Sequence, residues 1–220
     1  MSLAILSVFR ESPKFSIQHV EVLYNSLCKY STIPFTLYVI SDYQKPFPKG
    51  VFRISLKHPD WNPKLNKLEL FRQDVLNLAS HFFYFDLDTV LIGNIDELLS
   101  SDNPLVMLDD FYYNNTFGSG LMAWTRDLGP HIYKMAEATP TEELHKNFPV
   151  GKGRGDQLFI KRHSPIRPQT FQNLWPGQVV SYKKHCRGEG KPPEGARVVC
   201  FHGKPSPQEV GDRWVRENWI

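Results

Sequence analysis

Phe82-Phe83-Tyr84-Phe85-Asp86-Leu87-Asp88-Thr89-Val90-Leu91-Ile92 is the stretch on which the reading of this chain turns. Four bulky aromatic residues in succession predict a buried strand, and that strand runs straight into two carboxylates. An apolar run resumes at Thr89. Working outward, Ala4–Phe9 reads as a buried strand. Ser16 caps a helix whose apolar positions Ile17, Val20, Leu23, Tyr24 and Leu27 keep the 3.6 period. Pro34 closes that element, and Phe35–Ile40 reads as a second strand closing at Ser41-Asp42, followed by a weaker strand over Val51–Leu56. Pro63 suits the first turn of a helix with the stripe Leu65, Leu68, Phe71 and Val75. Beyond the carboxylates, Leu105–Leu108, Phe117–Trp124 and Arg197–Phe201 read as strands, and Gly129–Ala138 and Asp156–Arg162 as helices. Lys146–Gly155 and Arg187–Gly195, rich in Gly, Pro and Lys, read as mobile surface loops. Strands alternating with helices predict an α/β/α sandwich around a mostly parallel mixed sheet. On such sheets ligands sit at the C-terminal strand ends, where Asp42 and the Asp86/Asp88 pair fall.

The chain has 220 residues, 41% hydrophobic and 22% charged, which fits one domain and excludes collagen-like, coiled-coil and wholly disordered classes. The expected division is a nucleotide-binding half over 1–110 and an acceptor and metal-binding half over 111–220. No apolar run reaches the roughly 18 residues of a membrane span. Met1–Phe9 lacks a charged leader and a small-residue cleavage site, and three cysteines (Cys28, Cys186, Cys200) are few and without metal spacing. The expectation is a reducing cytoplasm, in which the Asn114-Asn115-Thr116 sequon stays unused. Residues 1–145 hold 12 basic and 17 acidic side chains, and residues 146–220 hold 14 and 6. A basic C-terminal third suits an anionic substrate, a phosphate-rich cofactor or peripheral contact with the inner face of a membrane; a solvated face explains any single lysine equally well.

On an extended backbone, residues i and i+2 project to one side, so Asp86 and Asp88 can face one ion. Two carboxylates that close repel unless a cation lies between them, and oxygen ligands with an imidazole suit Mn²⁺ or Mg²⁺. With twelve aspartates, a chance D-x-D is expected about 0.65 times, so context rather than spacing gives the pair its weight. His202 follows an apolar strand in Phe201-His202-Gly203-Lys204-Pro205, where Gly203 allows backbone to approach a phosphate and Lys204 can neutralise it. Asp156, in Gly155-Asp156-Gln157, is by default a helix cap and otherwise an acceptor-hydroxyl binder or base, with Gln157 beside the reaction centre. Gly118-Ser119-Gly120 leaves room for a sugar against backbone, and Trp61, Lys64 and Lys67 gather at a helix start that favours phosphate.

These segments, in this order, resemble nucleotide-sugar glycosyltransferases of the GT-A fold, and more closely glycosyltransferase family 8 and its small bacterial relatives. The resemblance rests on Tyr84-Phe85-Asp86-Leu87-Asp88, Gly118-Ser119-Gly120, Gly155-Asp156-Gln157 and Phe201-His202-Gly203-Lys204-Pro205. It implies a hexosyl transfer from a nucleotide-sugar, with UDP-sugar the expected donor, to a glycan or glycolipid acceptor, with retention. It implies a divalent cation on Asp86, Asp88 and His202, and donor contacts from Val8, Phe9, Arg10, Asp42, Lys64, Lys67, Asp86, Gly203 and Lys204. Ser119, Gly120 and Asp156 fall in the acceptor segment, and Asp156 and Gln157 beside the reacting carbon. The His-Gly-Lys-Pro block is contiguous here where the family spaces it out. Nucleic acid is not an expected partner. Two rivals compete: a haloacid-dehalogenase-type phosphatase with Asp86 as nucleophile, although the Gly usual in its motif is absent and about 85 residues precede it, and a fold relative that binds nucleotide or glycan without turnover.

Overall fold

The computed structural model describes residues 2–149 and 154–220. Among the described residues ten strands form two sheets: β1 (Leu3–Phe9), β2 (Thr36–Ser41), β3 (Val51–Ser55), β4 (His81–Phe85), β5 (Thr89–Leu91), β6 (Leu105–Asp109), β7 (Phe117–Thr125), β8 (Gln169–Thr170), β9 (Val179–Ser181) and β10 (Val198–Cys200). The large sheet has the order β3-β2-β1-β4-β7-β6-β8. β3, β2, β1 and β4 are mutually parallel, β7 runs antiparallel to both its neighbours, and β8 returns parallel to β6. The α/β architecture and the mixed, mostly parallel sheet match the sequence reading.

The central strands are apolar on both faces because both faces are covered. Alternate side chains of β1 and β4 divide between two cores, Ile5 and Phe83 joining one and Leu6 and Tyr84 the other. The Ile17–Tyr30 helix buries Val20, Leu23 and Leu27 in the first core. The second core receives Leu65, Leu68 and Phe71, on the predicted stripe. These residues are wound not as one α-helix but as a 3₁₀ segment, Leu65–Phe71, followed by a short helix at Gln73–Leu76. The break is Arg72, extended at ψ 146°, whose guanidinium is drawn between Glu69 and Asp74.

The chain leaves the large sheet at Phe85, turns through Asp86-Leu87-Asp88 and enters the small sheet, β5-β10-β9. β5 lies antiparallel to β10 with Thr89 opposite Cys200, so the start of β5 and the end of β10 share one end of the sheet. That pairing brings the segment after Asp88 and the segment before His202 together. Of this trio, sequence reading named only β10 as a strand, over Arg197–Phe201, and gave it no partner. Lys146 and Asn147 close the Thr141–Asn147 helix, contrary to the loop expected there, while 150–153 of that loop, like Met1, lie outside the described residues.

Candidate active site

A cleft of about 660 Å³ opens at the C-terminal ends of β1 and β4, where a parallel sheet places its ligands. Its walls include Val8, Arg10, Lys64, Lys67, Asp86, Asp88, Ser119, Gly120, Asp156, Gln157, His202 and Gly203, all expected from the sequence.

At its centre Lys67, reaching in from the 3₁₀ segment with its side chain 12% exposed, lies 2.7 Å from Asp86 Oδ1 and 3.7 Å from Asp156 Oδ2. Its ammonium also reaches the Ser119 carbonyl at 3.3 Å. Tyr84 donates its hydroxyl to Asp86 Oδ1 at 2.6 Å. Burial alone would lower the Lys67 pKa and raise that of Asp86; their pairing outweighs it, so the lysine is held above and the aspartate below its ordinary value. Burial and the charge of Asp86 push the Tyr84 hydroxyl far up, so it stays a donor.

Ser119 and Gly120 reach the cleft through an irregularity in β7. Met107 of β6 pairs with Met122, but the next residue, Leu108, pairs with Gly118, which leaves Ser119–Leu121 bulged against Asp86. The Asp86 amide donates to the Gly120 carbonyl at 2.9 Å. A Cβ on Gly120 would stand 3.1 Å from Asp86 Oδ2, which accounts for a residue without a side chain there. Ser119 donates its hydroxyl to Asp156 Oδ2. Asp156 is therefore not the cap of its helix: Gly155, at φ 85°, is the cap residue, and the buried Asp156 carboxylate faces Ser119 and Lys67 instead.

Asp88 lies in a turn rather than on an extended backbone, so the two carboxylates do not share one partner. Asp86 takes Lys67, and Asp88 Oδ2 takes the Lys14 ammonium at 2.6 Å. Burial and the Asp86 charge hold the Asp88 pKa above its ordinary value against the pull of Lys14. His202 Nε2 sits 2.7 Å from the Ser181 hydroxyl, and its ring stacks on Phe111 at 5.4 Å with Tyr112 edge-on. Burial and the charge of Lys183 lower its pKa to about 4, so the imidazole is neutral at pH 7. By donor type the carboxylates and the neutral imidazole fit a divalent cation. Their arrangement is less complete: among the described residues no three His, Cys, Asp or Glu side chains converge on one point.

Three expected donor contacts (Phe9, Asp42 and Lys204), and Trp61 of the phosphate-favouring helix start, fall outside the cleft. Phe9 is fully buried, edge-on to Tyr43 and Phe47. Trp61 is buried and stacked on His58 at 4.0 Å. Asp42 does not line the cleft but holds Arg10, which does, through Nε at 3.0 Å; Arg10 Nη1 also donates to the Trp61 carbonyl and the Asn66 amide oxygen, both at 3.3 Å. Lys204 is 91% exposed and 3.6 Å from Glu209, away from the walls. In its place stands Lys183, whose ammonium lies 3.6 Å from where a Cβ of Gly203 would be. Sequence reading missed three residues of the cleft, Lys14, Tyr84 as a donor and Arg154, and missed Lys183 beside Gly203. Only Lys14 carried a usable signal, being five residues past the end of β1.

The sequence matches no family model and no curated protein. The backbone is similar to that of the glycosyltransferase GlyE of Streptococcus pneumoniae TIGR4, at TM-score 0.63 and 14% identity over 99% of this chain and 59% of that one. The apo form of GlyE gives 0.60 over the same shares. The apo structure of WbbM, a bifunctional glycosyltransferase, gives 0.66 at 11% identity over all of this chain and 50% of that one. The chain has a glycosyltransferase fold. It spans between half and three-fifths of the length of these proteins.

Proposed function

We propose that the chain transfers a hexosyl group from a nucleotide-sugar, a UDP-sugar in the first instance, to a hydroxyl of a glycan or glycolipid acceptor. The observation that carries this is the cleft of a glycosyltransferase fold in which Asp86, Asp156 and Lys67 meet at the end of β4. Arg10, held by Asp42, and the Val8 edge of β1 would bind the nucleoside end. Lys67 and Lys183 supply positive charge beside the path of a diphosphate, with the exposed backbone of Gly203 between strand and phosphate. A divalent cation held by Asp86, Asp88 and, after His202 turns from Ser181, its imidazole would supply Lewis-acid stabilisation of the departing diphosphate.

The chain's own residues do the rest. Asp156 is oriented by Ser119 and Lys67, so one carboxylate oxygen is committed and the other is free to receive an acceptor hydroxyl. Ser119 and Gly120, bulged toward the cleft, give a sugar room against backbone, and the half-exposed rings of Tyr112 and Tyr113 at the rim offer it faces to stack on. Retention is the expectation from the family likeness. As a phosphatase nucleophile Asp86 is poorly placed, since its Oδ1 already takes both Lys67 and Tyr84.

The test is a thermal-unfolding panel of UDP, GDP, CDP and their sugar conjugates, each with and without Mn²⁺. A ligand at 100 times its dissociation constant adds about 2.7 kcal/mol, readily seen as a melting shift. A shift specific to one nucleotide, followed by release of that nucleotide on adding acceptor sugars, supports the proposal. No shift with any nucleotide would overturn it.

A further inference from the structure

Inside the cleft Arg10, Lys14 and Lys67 each sit on a carboxylate. On the turn after β9, beside the cleft, two lysines do not. Tyr182–Cys186 winds as a π-type turn, its start fixed by the Ser181 hydroxyl, which accepts from the Lys184 amide at 3.2 Å. Its two lysines serve different neighbours. Lys183 brings its ammonium 3.6 Å from where a Cβ of Gly203 would be, while Lys184 lies over the ring of Tyr112, its ammonium 4.7 Å from the centroid. Among the described residues neither pairs with a carboxylate. The aromatic rim under Lys184 is a built one. Asp110 Oδ1 accepts from the amides of Tyr112 and Tyr113 at 2.8 and 3.0 Å, the Asp110 amide donates to the Thr116 carbonyl at 3.1 Å, and Thr116 Oγ1 donates to the Tyr113 carbonyl at 2.6 Å. Tyr112 also stands edge-on to His202, yet both tyrosines stay half exposed. Asp110 is the acidic group of this loop, one oxygen committed to its backbone, and the two lysines outnumber it.

We infer that the acceptor is an anionic sugar: a hexose ring seated on Tyr112 and Tyr113 whose carboxylate or phosphate is received by Lys184. Taking that sugar as an acceptor rests on the glycosyltransferase reading; its recognition at the rim does not. Aromatic faces attract the apolar face of any hexose, so the tyrosines supply affinity without choice. Lys184 supplies the choice. Its contact with the Tyr112 ring holds the ammonium beside the seat, and a negatively charged substituent gains a charge-assisted hydrogen bond there where a hydroxyl gains only a weaker one. A lysine that only steadied Tyr112 through its ring would not discriminate between sugars by charge. Two sources carry the required chemistry, a uronic acid within a glycan and the phosphate that links a sugar to a lipid.

The experiment is sugar binding by saturation-transfer NMR, with and without saturating UDP. The probes are methyl β-glucoside, methyl β-glucuronide and glucose 1-(methyl phosphate), with their galacto counterparts. Wild type should bind one of the anionic probes about fivefold more tightly than the neutral glycoside, the scale of an exposed ion pair, and added salt should shrink that preference. Lys184→Gln should bring the ratio to about one, and Lys184→Arg should keep it. Lys191→Gln, which removes the same charge elsewhere in the basic third, should keep it too. Tyr112→Leu should weaken neutral and anionic probes alike. Preference for the uronide identifies a glycan acceptor, and preference for the phosphodiester a phosphate-linked glycolipid. Equal binding of neutral and anionic probes, an unchanged ratio in Lys184→Gln, an equal loss in Lys191→Gln, or no binding of any sugar would overturn the inference. The nucleotide panel above decides the donor reading separately, since a nucleotide shift alongside any of these results strikes only the acceptor class. Lys184 is exposed, so circular dichroism is enough to confirm that its variants fold.

Discussion

Glu69→Ala is the substitution that best tests how the cleft is held in place. Glu69 is fully buried on the 3₁₀ segment two residues past Lys67. Its Oε2 accepts from Arg72 Nη1 at 2.7 Å and from the Lys57 amide at 2.9 Å, and its Oε1 accepts from the His58 amide at 2.9 Å. One carboxylate thus satisfies a buried guanidinium and two backbone donors, pinning the loop after β3. That loop in turn carries the His58 carbonyl that orients Asn66 and the Trp61 carbonyl that receives Arg10. Breaking a buried ion pair by removing one partner costs about 3–5 kcal/mol. Arg72 retains Asp74 at 2.5 Å, which cuts the charge penalty, while each orphaned amide adds about 1 kcal/mol where water can reach it. The expected loss is about 3–4 kcal/mol, measured as the shift in urea unfolding midpoint at unchanged slope. The double variant Glu69→Leu/Arg72→Met, which removes both charges, should be more stable than Glu69→Leu alone. A loss below about 1 kcal/mol for Glu69→Ala, or a double variant no better than the single, would refute the reasoning.

Two further expectations follow from titration and burial. His202 is neutral in the fold, its pKa lowered to about 4 by burial and then by Lys183, against an ordinary value of 6.5. The unfolded chain therefore binds the extra proton first. Stability should be independent of this group above about pH 6.5, fall as pH drops from there toward 4, and show a flatter slope in that window for His202→Phe, measured by urea unfolding in chelator. An unchanged slope would place the charge elsewhere. Of the three cysteines, Cys28 is exposed and the other two are buried, with burial raising the Cys186 thiol to about 11 and the Cys200 thiol further. Mass spectrometry after a neutral-pH thiol reagent should find one modification on the native protein, at Cys28, and three after unfolding.

The parts legible in the sequence are those whose signal is local. β1, β2 and β4 are continuous apolar runs, and the stripe at Leu65, Leu68 and Phe71 is buried as expected. The winding of that stripe was not legible, because Arg72 interrupts it through partners, Glu69 and Asp74, that only the folded chain brings to it. β5 and β9 are three residues each, too short for any period, and exist because they pair on either side of β10, the one strand of that sheet read in advance, Val90 meeting Val199 across most of the second half of the chain. At the site, Asp86, Asp88 and Asp156 were found through motif context, but their partners were not. Asp156 looks like a helix cap until Ser119 and Lys67 are seen against it. Lys204 looked like the phosphate ligand because it follows Gly203 in sequence, whereas Lys183, on a π-type turn after β9, stands over that glycine in space.

The electrostatics of the cleft lead to one last expectation. Among the described residues its walls carry five cationic side chains (Arg10, Lys14, Lys64, Lys67, Arg154) and five carboxylates (Glu11, Asp86, Asp88, Asp110, Asp156). Such a cleft is internally neutralised, with Arg10 on Asp42, Lys14 on Asp88 and Lys67 on Asp86. A nucleoside diphosphate arriving alone must pull lysines from these partners and leave buried carboxylates bare. A divalent cation arriving alone must displace Lys14 and gains no phosphate oxygens. On the proposed donor reading, the two arriving together would exchange partners: the cation would take the carboxylates, and the freed ammonium groups the diphosphate, so that no charge is left unpaired. Nucleotide and cation should therefore each tighten the other by the same factor, expected at about tenfold or more, since coupling is reciprocal in binding free energy. Isothermal titration of the nucleotide with and without saturating Mn²⁺, and of Mn²⁺ with and without the nucleotide, measures that factor from both sides. Lys67→Met should weaken nucleotide binding in either condition, because Lys67, the cation paired with Asp86, is on the proposed reading also the one the diphosphate would draw on. Equal nucleotide affinity in chelator and in Mn²⁺ would show that the carboxylates keep their lysines throughout, and that the exchange of partners does not occur.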